Sequence, residues 1–180
     1  MAFVGLKRPV VGKLGTSGSY TDGVVLAKAV KANYNPTSNE AELYADDALA
    51  ESDYTFAEAT LTLEVDDLSD ENKAMILGHT YQSGTISKAA DDVAPYLGVA
   101  FYATVVKNNV TKYKGKFYKK CKFKLPSEEH ETKGNSTSFS TTSLECKVMK
   151  PDTGSYSEEK TFDTEAACIT WCNSCVNLSE

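Results

Sequence analysis

The sequence predicts a mainly β fold of the α+β class, with a helix flanking the sheet. Residues 56–65 alternate between apolar and polar side chains, which is the pattern of a half-buried antiparallel strand. Residues 97–106 are apolar on both faces and are therefore expected in the middle of a sheet. Residues 113–125 alternate again, and Asn108 and Asn109 are expected to form the hairpin turn that precedes them.

The first part of the chain is predicted to hold an arm and a short helix. Residues 32–55 show no clean hydrophobic period, so they are interpreted as a long arm or loop, and a loop of that length is usually functional or disordered. Ser69 is expected to cap the N-terminus of a helix, because Asp70 and Glu71 follow at its positive end. Gly78 is expected to end that helix.

The second half of the chain is predicted to add three strands and a helix. Strand 113–125 is expected to place its apolar side chains on one face and its lysines on the other. Residues 138–149 fit a strand, residues 151–154 fit a turn that begins with Pro and ends with Gly, and residues 156–162 fit the returning strand. A helix at about 163–176 is expected to carry three cysteines on one face.

Length and composition are those of one globular domain spanning residues 1–180. Hydrophobic residues make up 41% of the chain and charged residues 24%, which is ordinary for such a domain. The net charge of −6 and the pI near 5.0 argue against tight general binding of nucleic acid. The opening residues do not have the pattern of a secretory signal, so folding in a cytoplasm and free thiols at all five cysteines are expected.

Charge is strongly segregated along the sequence. Residues 32–72 contain twelve acids and no Lys or Arg, whereas residues 112–124 contain seven lysines and no acid. An enzyme does not need this segregation, but a subunit that meets copies of itself through complementary faces uses it. The sequence therefore predicts an interface between subunits at Lys114, Lys116, Lys120 and Lys122, facing the acidic region of another copy.

Two other interpretations of the lysine strand remain open from the residues alone. Lysines on a solvated face keep a strand edge from pairing with other chains. A row of lysines also suits contact with nucleic acid, although the absence of Arg from residues 112–124 counts against recognition of phosphate.

No constellation in the sequence predicts a catalytic, cofactor or metal site. Cys168, Cys172 and Cys175 have the spacing of an iron–sulfur motif, but offsets of four and seven also place them on one helix face, where free cysteines pack as small apolar side chains. His79 and His130 are interpreted as solvated or incidental residues without a catalytic partner. We therefore expect no cofactor and no enzyme activity.

Taken together, the chain resembles the major tail proteins, the tail tube subunits, of siphophages of Gram-positive bacteria. The resemblance covers nearly the whole chain and depends on the order of several short matches. These are residues 1–9, Tyr20 with Asp22 and Gly23, residues 28–30, residues 43–47, Lys120 with Lys122, Phe123 and Pro126, residues 132–134, and residues 160–167 with Trp171.

The resemblance implies a fold, an assembly and an interface. The implied fold is an antiparallel β-sandwich or partly rolled barrel of the phage tail tube type, with a flanking helix. The implied assembly is a ring of six copies, with rings stacked into a tube that conducts the phage DNA to the host. The segment that matches the family's acidic arm is the expected inter-subunit contact, and it comprises Leu43, Tyr44, Ala45, Asp46 and Asp47.

The same resemblance implies a location and a set of partners. The protein is expected to be made in the host cytoplasm and to reside in the virion tail. Its expected partners are further copies of itself, the tape measure, tail terminator and distal tail or baseplate proteins, and DNA that passes without specific binding. Alternatives are the inner tube of a phage-derived or contractile injection particle, a monomeric β-sandwich adhesion module, and a metalloprotein with cysteine ligands.

Overall fold

The computed structural model describes residues 2–45, 48–107, 110–127 and 141–179. These residues form ten strands and two helices. In chain order the elements are β1 (Ala2–Leu14), β2 (Tyr20–Val25), β3 (Ala29–Ala45), β4 (Ala48–Val65), α1 (Asp70–Leu77), β5 (Thr80–Gln82), β6 (Thr85–Ser87), β7 (Leu97–Lys107), β8 (Val110–Phe123), β9 (Thr142–Val148), β10 (Ser157–Phe162) and α2 (Glu165–Cys175).

The fold is mainly β with a flanking helix, as the sequence predicts. The strand order is β2-β1-β7-β8-β9-β4-β3, every pair is antiparallel, and β10 joins as an eighth strand by pairing with β8. Strands β1 and β3 lie near opposite ends of this order and yet contact each other, so the sheet is rolled. Strands β5 and β6 form a separate two-stranded sheet that the sequence did not indicate.

One face of the rolled sheet encloses the larger core. Its fully buried side chains come from strands on both sides of the roll, including Leu61 and Leu63 of β4 and Val99 of β7. Helix α1 packs Ile76 and Leu77 onto this core. The predicted ends of α1 are confirmed, because the Ser69 side chain accepts a hydrogen bond from the Asn72 amide and Gly78 has the left-handed φ of 76°.

The opposite face of the sheet packs against α2. Cys168, Cys172 and Val176 form a second core there with side chains of β1, β7 and β8. A Cβ atom at Gly115 of β8 would lie 2.6 Å from the Trp171 ring, so only glycine allows this close approach of helix and strand. Neither helix is long and apolar enough to cross a membrane, and no other helix occurs in the ranges that the structure describes.

The interpretation of residues 32–55 as a loop is wrong. Most of this segment lies in β3 and β4, which form a long hairpin paired from Ala29↔Val65 out to Ala45↔Ala48. The hydrophobic period is missing because residues 35–42 and 53–55 are exposed on both faces. Backbone pairing therefore defines these strands where burial does not.

The prediction that the lysines of β8 share one face is also wrong. Val99 pairs with Tyr118 and Leu97 pairs with Cys121, so β8 has one more residue than β7 in this interval and forms a bulge. The bulge reverses the alternation of side chains. Lys114 and Lys116 therefore lie on the same face as Tyr118 and the larger core, whereas Lys122 lies on the outer face opposite Lys147 of β9.

Candidate assembly surface

The outer part of the β3–β4 hairpin projects from the sheet. Strand β9 pairs only with residues 59–65 of β4, so residues 38–45 and 48–55 pair only with each other in the described structure. We call these two segments the acidic ribbon. The Phe56 ring anchors its base by stacking on Tyr156, with 3.7 Å between ring centroids.

Acidic side chains crowd the ribbon. Glu40, Glu42 and Asp53 are exposed, and neither strand of the ribbon contains a Lys or Arg. Two other acids of residues 32–72, Glu58 and Asp66, lie beside lysines of the same chain. Glu58 bonds Lys147 at 2.5 Å, and Asp66 lies 3.8 Å from Lys28.

The predicted interface residues of the arm lie at the far end of this ribbon. Leu43, Tyr44 and Ala45 are the last three residues of β3, where the backbone pairs with Glu51, Leu49 and Ala48. Asp46 and Asp47 lie outside the described residues. Leu43, Tyr44 and Ala45 therefore belong to the part of the hairpin that pairs with no other strand in the described structure.

Most lysines of residues 112–124 are paired with acids that follow later in the chain. The pairs are Lys112 with Asp163, Lys114 and Lys116 with Glu159, Lys119 with Glu158, Lys120 with Asp152, and Lys124 with Glu145. A single copy therefore uses most of these lysines within its own fold. The sequence shows these acids, but their proximity depends on β9, β10 and the turn before β10.

Lys114 and Lys116 are half-buried and bond the same carboxylate. Their side chains are 26% and 25% exposed, and the Lys116 ammonium lies 3.0 Å from the Glu159 carboxylate. Burial alone would raise the pKa of Glu159, but hydrogen bonds from both lysines outweigh it and hold that pKa below its usual value. These two lysines therefore support the fold, and they are not a solvated face.

Lys120 and Lys122 differ from the other predicted lysines because both ammonium groups approach the ring of Tyr96. Tyr96 precedes β7 and is 43% exposed. We call Tyr96, Lys120 and Lys122 the Tyr96 patch. The Lys120 side chain is 18% exposed and lies 3.1 Å from the Asp152 carboxylate, so it is held within the chain as Lys114 and Lys116 are.

The three helix cysteines pack as the sequence analysis expected. Cys168 and Cys172 are fully buried beneath α2, and Cys175 is half-buried. Burial raises the pKa of the Cys168 thiol to about 11 and that of Cys175 to about 12. Within the described ranges, no three metal-ligating side chains converge.

We expect these thiols to react slowly in the folded protein. At pH 8, roughly one Cys168 in a thousand would be a thiolate, and only the thiolate is nucleophilic. Alkylation by iodoacetamide, followed by mass spectrometry, should be at least about tenfold slower at Cys168 in buffer than in 8 M urea. Equal rates in the two solvents would contradict the buried, protonated state.

Of the two interpretations of His79, a solvated or an incidental residue, the first is wrong. Its side chain is only 5% exposed, and Nδ1 lies 2.6 Å from the Asp92 carboxylate, which also accepts a hydrogen bond from the Ala89 amide. The Ala89 amide and His79 hold the pKa of Asp92 below its usual value. The hydrogen bond between His79 and Asp92 links the segment before β7 to the end of α1. His130 lies outside the described residues.

Comparison with known proteins does not assign a family or a function to this surface. No protein-family model matches the chain, and no curated protein sequence matches it.

Proposed function

We propose that this protein is the subunit of a phage tail tube, which polymerises as stacked rings of six copies. The observation that carries the proposal is the acidic ribbon. A two-stranded hairpin is at best marginally stable in water, and this one exposes residues 38–42 on both faces. A neighbouring copy that packs against the ribbon would supply the missing burial.

The open edges of the rolled sheet support the same proposal. In the described structure, β3 pairs with β4 on one side only, and β10 pairs only with β8. Unpaired edges are templates for pairing with other chains, and a ring of identical subunits uses a different surface on each side of the copy. Edges and ribbon together offer the unlike surfaces that a closed ring needs.

The charge of the chain is compatible with a conduit for DNA. The net charge is −6, and an acidic or neutral channel wall repels phosphate, so a duplex slides without specific binding. In this proposal the protein has no enzymatic step and no cofactor. Its partners are its own copies and the proteins that measure, end and initiate the tube in the virion tail.

Sedimentation velocity across a concentration series tests the proposal. We expect a single slow species at low concentration and, above a threshold, a discrete species near six subunits together with larger polymers. The threshold should rise with salt, because the screening length falls from about 10 Å at 0.1 M to about 3 Å at 1 M. A monomer that persists to millimolar concentration at low salt would contradict the proposal.

A further inference from the structure

The only arginine of the chain lies in a bulge of β1. All the other basic residues of the sequence are lysines, and the exception is Arg8. Strand β1 has one more residue than β7 between Lys7 and Val10, so Arg8 belongs to the bulge. Its φ of 51° is left-handed, which is uncommon for a residue with a side chain, and the following Pro9 favours extended backbone at this position. Bulges and strained backbone of this kind are common where a side chain is aimed at a site.

The guanidinium group of Arg8 is incompletely hydrogen-bonded, although the residue is half-buried. Its Nε atom is buried without a hydrogen-bond partner, and its Nη2 atom donates to the neutral side-chain oxygen of Asn173 at 3.3 Å. Among the residues that the structure describes, no ion pair includes Arg8. A charged donor that is partly removed from water is costly unless a charged partner compensates it. The guanidinium group therefore has unused capacity to bind an anion.

Glu165, the first residue of α2, does not serve as the counter-ion of Arg8. Its carboxylate accepts hydrogen bonds from the Lys7 ammonium group at 2.9 Å and from the Tyr102 hydroxyl at 2.7 Å. The hydrogen bonds from Tyr102 and Lys7 hold the pKa of Glu165 below its usual value. The charge of Glu165 is thus used by Lys7, the neighbour of Arg8 in the chain.

A groove of about 610 Å³ gives a small anion access to this part of the molecule. Its lining includes Arg8, Tyr102 and Lys28, and the Lys28 side chain is 92% exposed. Asp66 and Asp67 also line the groove. The Asp66 carboxylate accepts hydrogen bonds from the backbone amides of Lys28 and Asp67, which offset its charge, and Asp67 is exposed, so solvent screens its charge.

We propose that Arg8 binds a small oxyanion of the phosphate or carboxylate class in this groove, with Lys28 as a second positive charge. The planar guanidinium fork matches both kinds of oxyanion, whereas a lysine acts only as a point charge. The site belongs to a single copy of the chain, so it does not depend on assembly. A bound anion would compensate the half-buried charge and, because it binds the folded chain, would stabilise the fold.

Thermal unfolding in matched buffers tests the site. We expect 50 mM phosphate to raise the melting temperature by at least about 3 °C over chloride at the same ionic strength, as a dissociation constant of about 5 mM or tighter would do. Phosphate also stabilises proteins in general, because it is excluded from their surface. The decisive quantity is therefore the difference between the wild type and Arg8→Asn, since Asn tolerates left-handed backbone but carries no charge.

The matched control is Lys31→Asn, which removes one charge at an exposed position outside the groove. We expect Arg8→Asn to lose the extra stabilisation by phosphate and Lys31→Asn to keep it. Equal stabilisation of the wild type and Arg8→Asn would overturn the site and leave Arg8 as a structural contact of α2.

Phosphorus NMR tests binding directly and does not require the Arg8 variant to fold. The line of 1 mM phosphate should broaden when wild-type protein is added, and Lys28→Asn should weaken the affinity about threefold, because Lys28 is exposed and its loss leaves the fold intact. No broadening by the wild type, or equal affinity in Lys28→Asn, would overturn the proposal.

Competition identifies the class of oxyanion. Acetate that displaces phosphate at similar concentration would show a site open to carboxylates, whereas phosphate that persists in excess acetate would assign the site to phosphate groups. Displacement by the same concentration of chloride would overturn the proposal, because it would show only general attraction of anions.

Discussion

Replacing residues 39–55 by an Asn-Gly turn is expected to abolish assembly and to leave a folded monomer. The removed residues pair with one another, and the new turn would join Ser38 to Phe56, which already face each other. Phe56 and its stack on Tyr156 would remain. The melting temperature should therefore change by only a few degrees, while sedimentation should show monomer at every concentration that gives polymer for the wild type.

A variant with neutral side chains separates the shape of the ribbon from its charge. Changing Glu40 and Glu42 to Gln and Asp53 to Asn keeps the length of both strands and removes three charges. Because ion pairs set register and rate more than affinity, we expect this variant to assemble more slowly but to completion. Normal tubes from the shortened chain would show that the ribbon has no part in assembly.

Reversing Lys114 and Lys116 together to Glu is expected to lower the free energy of unfolding by about 2–4 kcal/mol. Loss of an exposed ion pair costs about 0–1 kcal/mol, whereas breaking a buried pair costs about 3–5 kcal/mol. We expect a value towards the buried end, because only about a quarter of each lysine side chain is exposed. Three carboxylates would then share the site at Glu159. Urea denaturation, followed by fluorescence of Trp171, measures the change.

The control for this prediction is the double reversal of Lys31 and Lys150 to Glu. It makes the same change in net charge at two exposed positions, where surface substitutions are usually within about 0.5 kcal/mol. If both double variants unfold at the same urea concentration as the wild type, then Lys114 and Lys116 do not stabilise the fold.

Local sequence patterns predicted the elements whose burial is one-sided or complete. Residues 56–65 bury alternate side chains, and β7 is buried in the middle of the sheet, so both are recognised by their apolar pattern. The ends of α1 follow from Ser69 and Gly78, because capping chemistry is local. The ribbon could not be recognised in this way, since a strand exposed on both faces has no hydrophobic period.

The candidate surface was predictable only in part for a similar reason. The acidic segment could be identified because its charge is contiguous along the chain. The division of the lysines between the two faces of β8 could not be predicted, because one extra residue after Tyr118 reverses the face of every side chain that follows. Nor does spacing along the chain show that Glu159 of β10 would lie beside Lys116, since that pairing depends on the strand order.

Electron cryomicroscopy of the protein above its assembly threshold tests the central claim most directly. The account predicts a hollow tube of stacked rings with six copies each, in which the acidic ribbon of every copy is buried against a neighbouring copy. Particles that remain monomeric, or polymers in which residues 38–42 and 53–55 stay exposed to solvent, would contradict it.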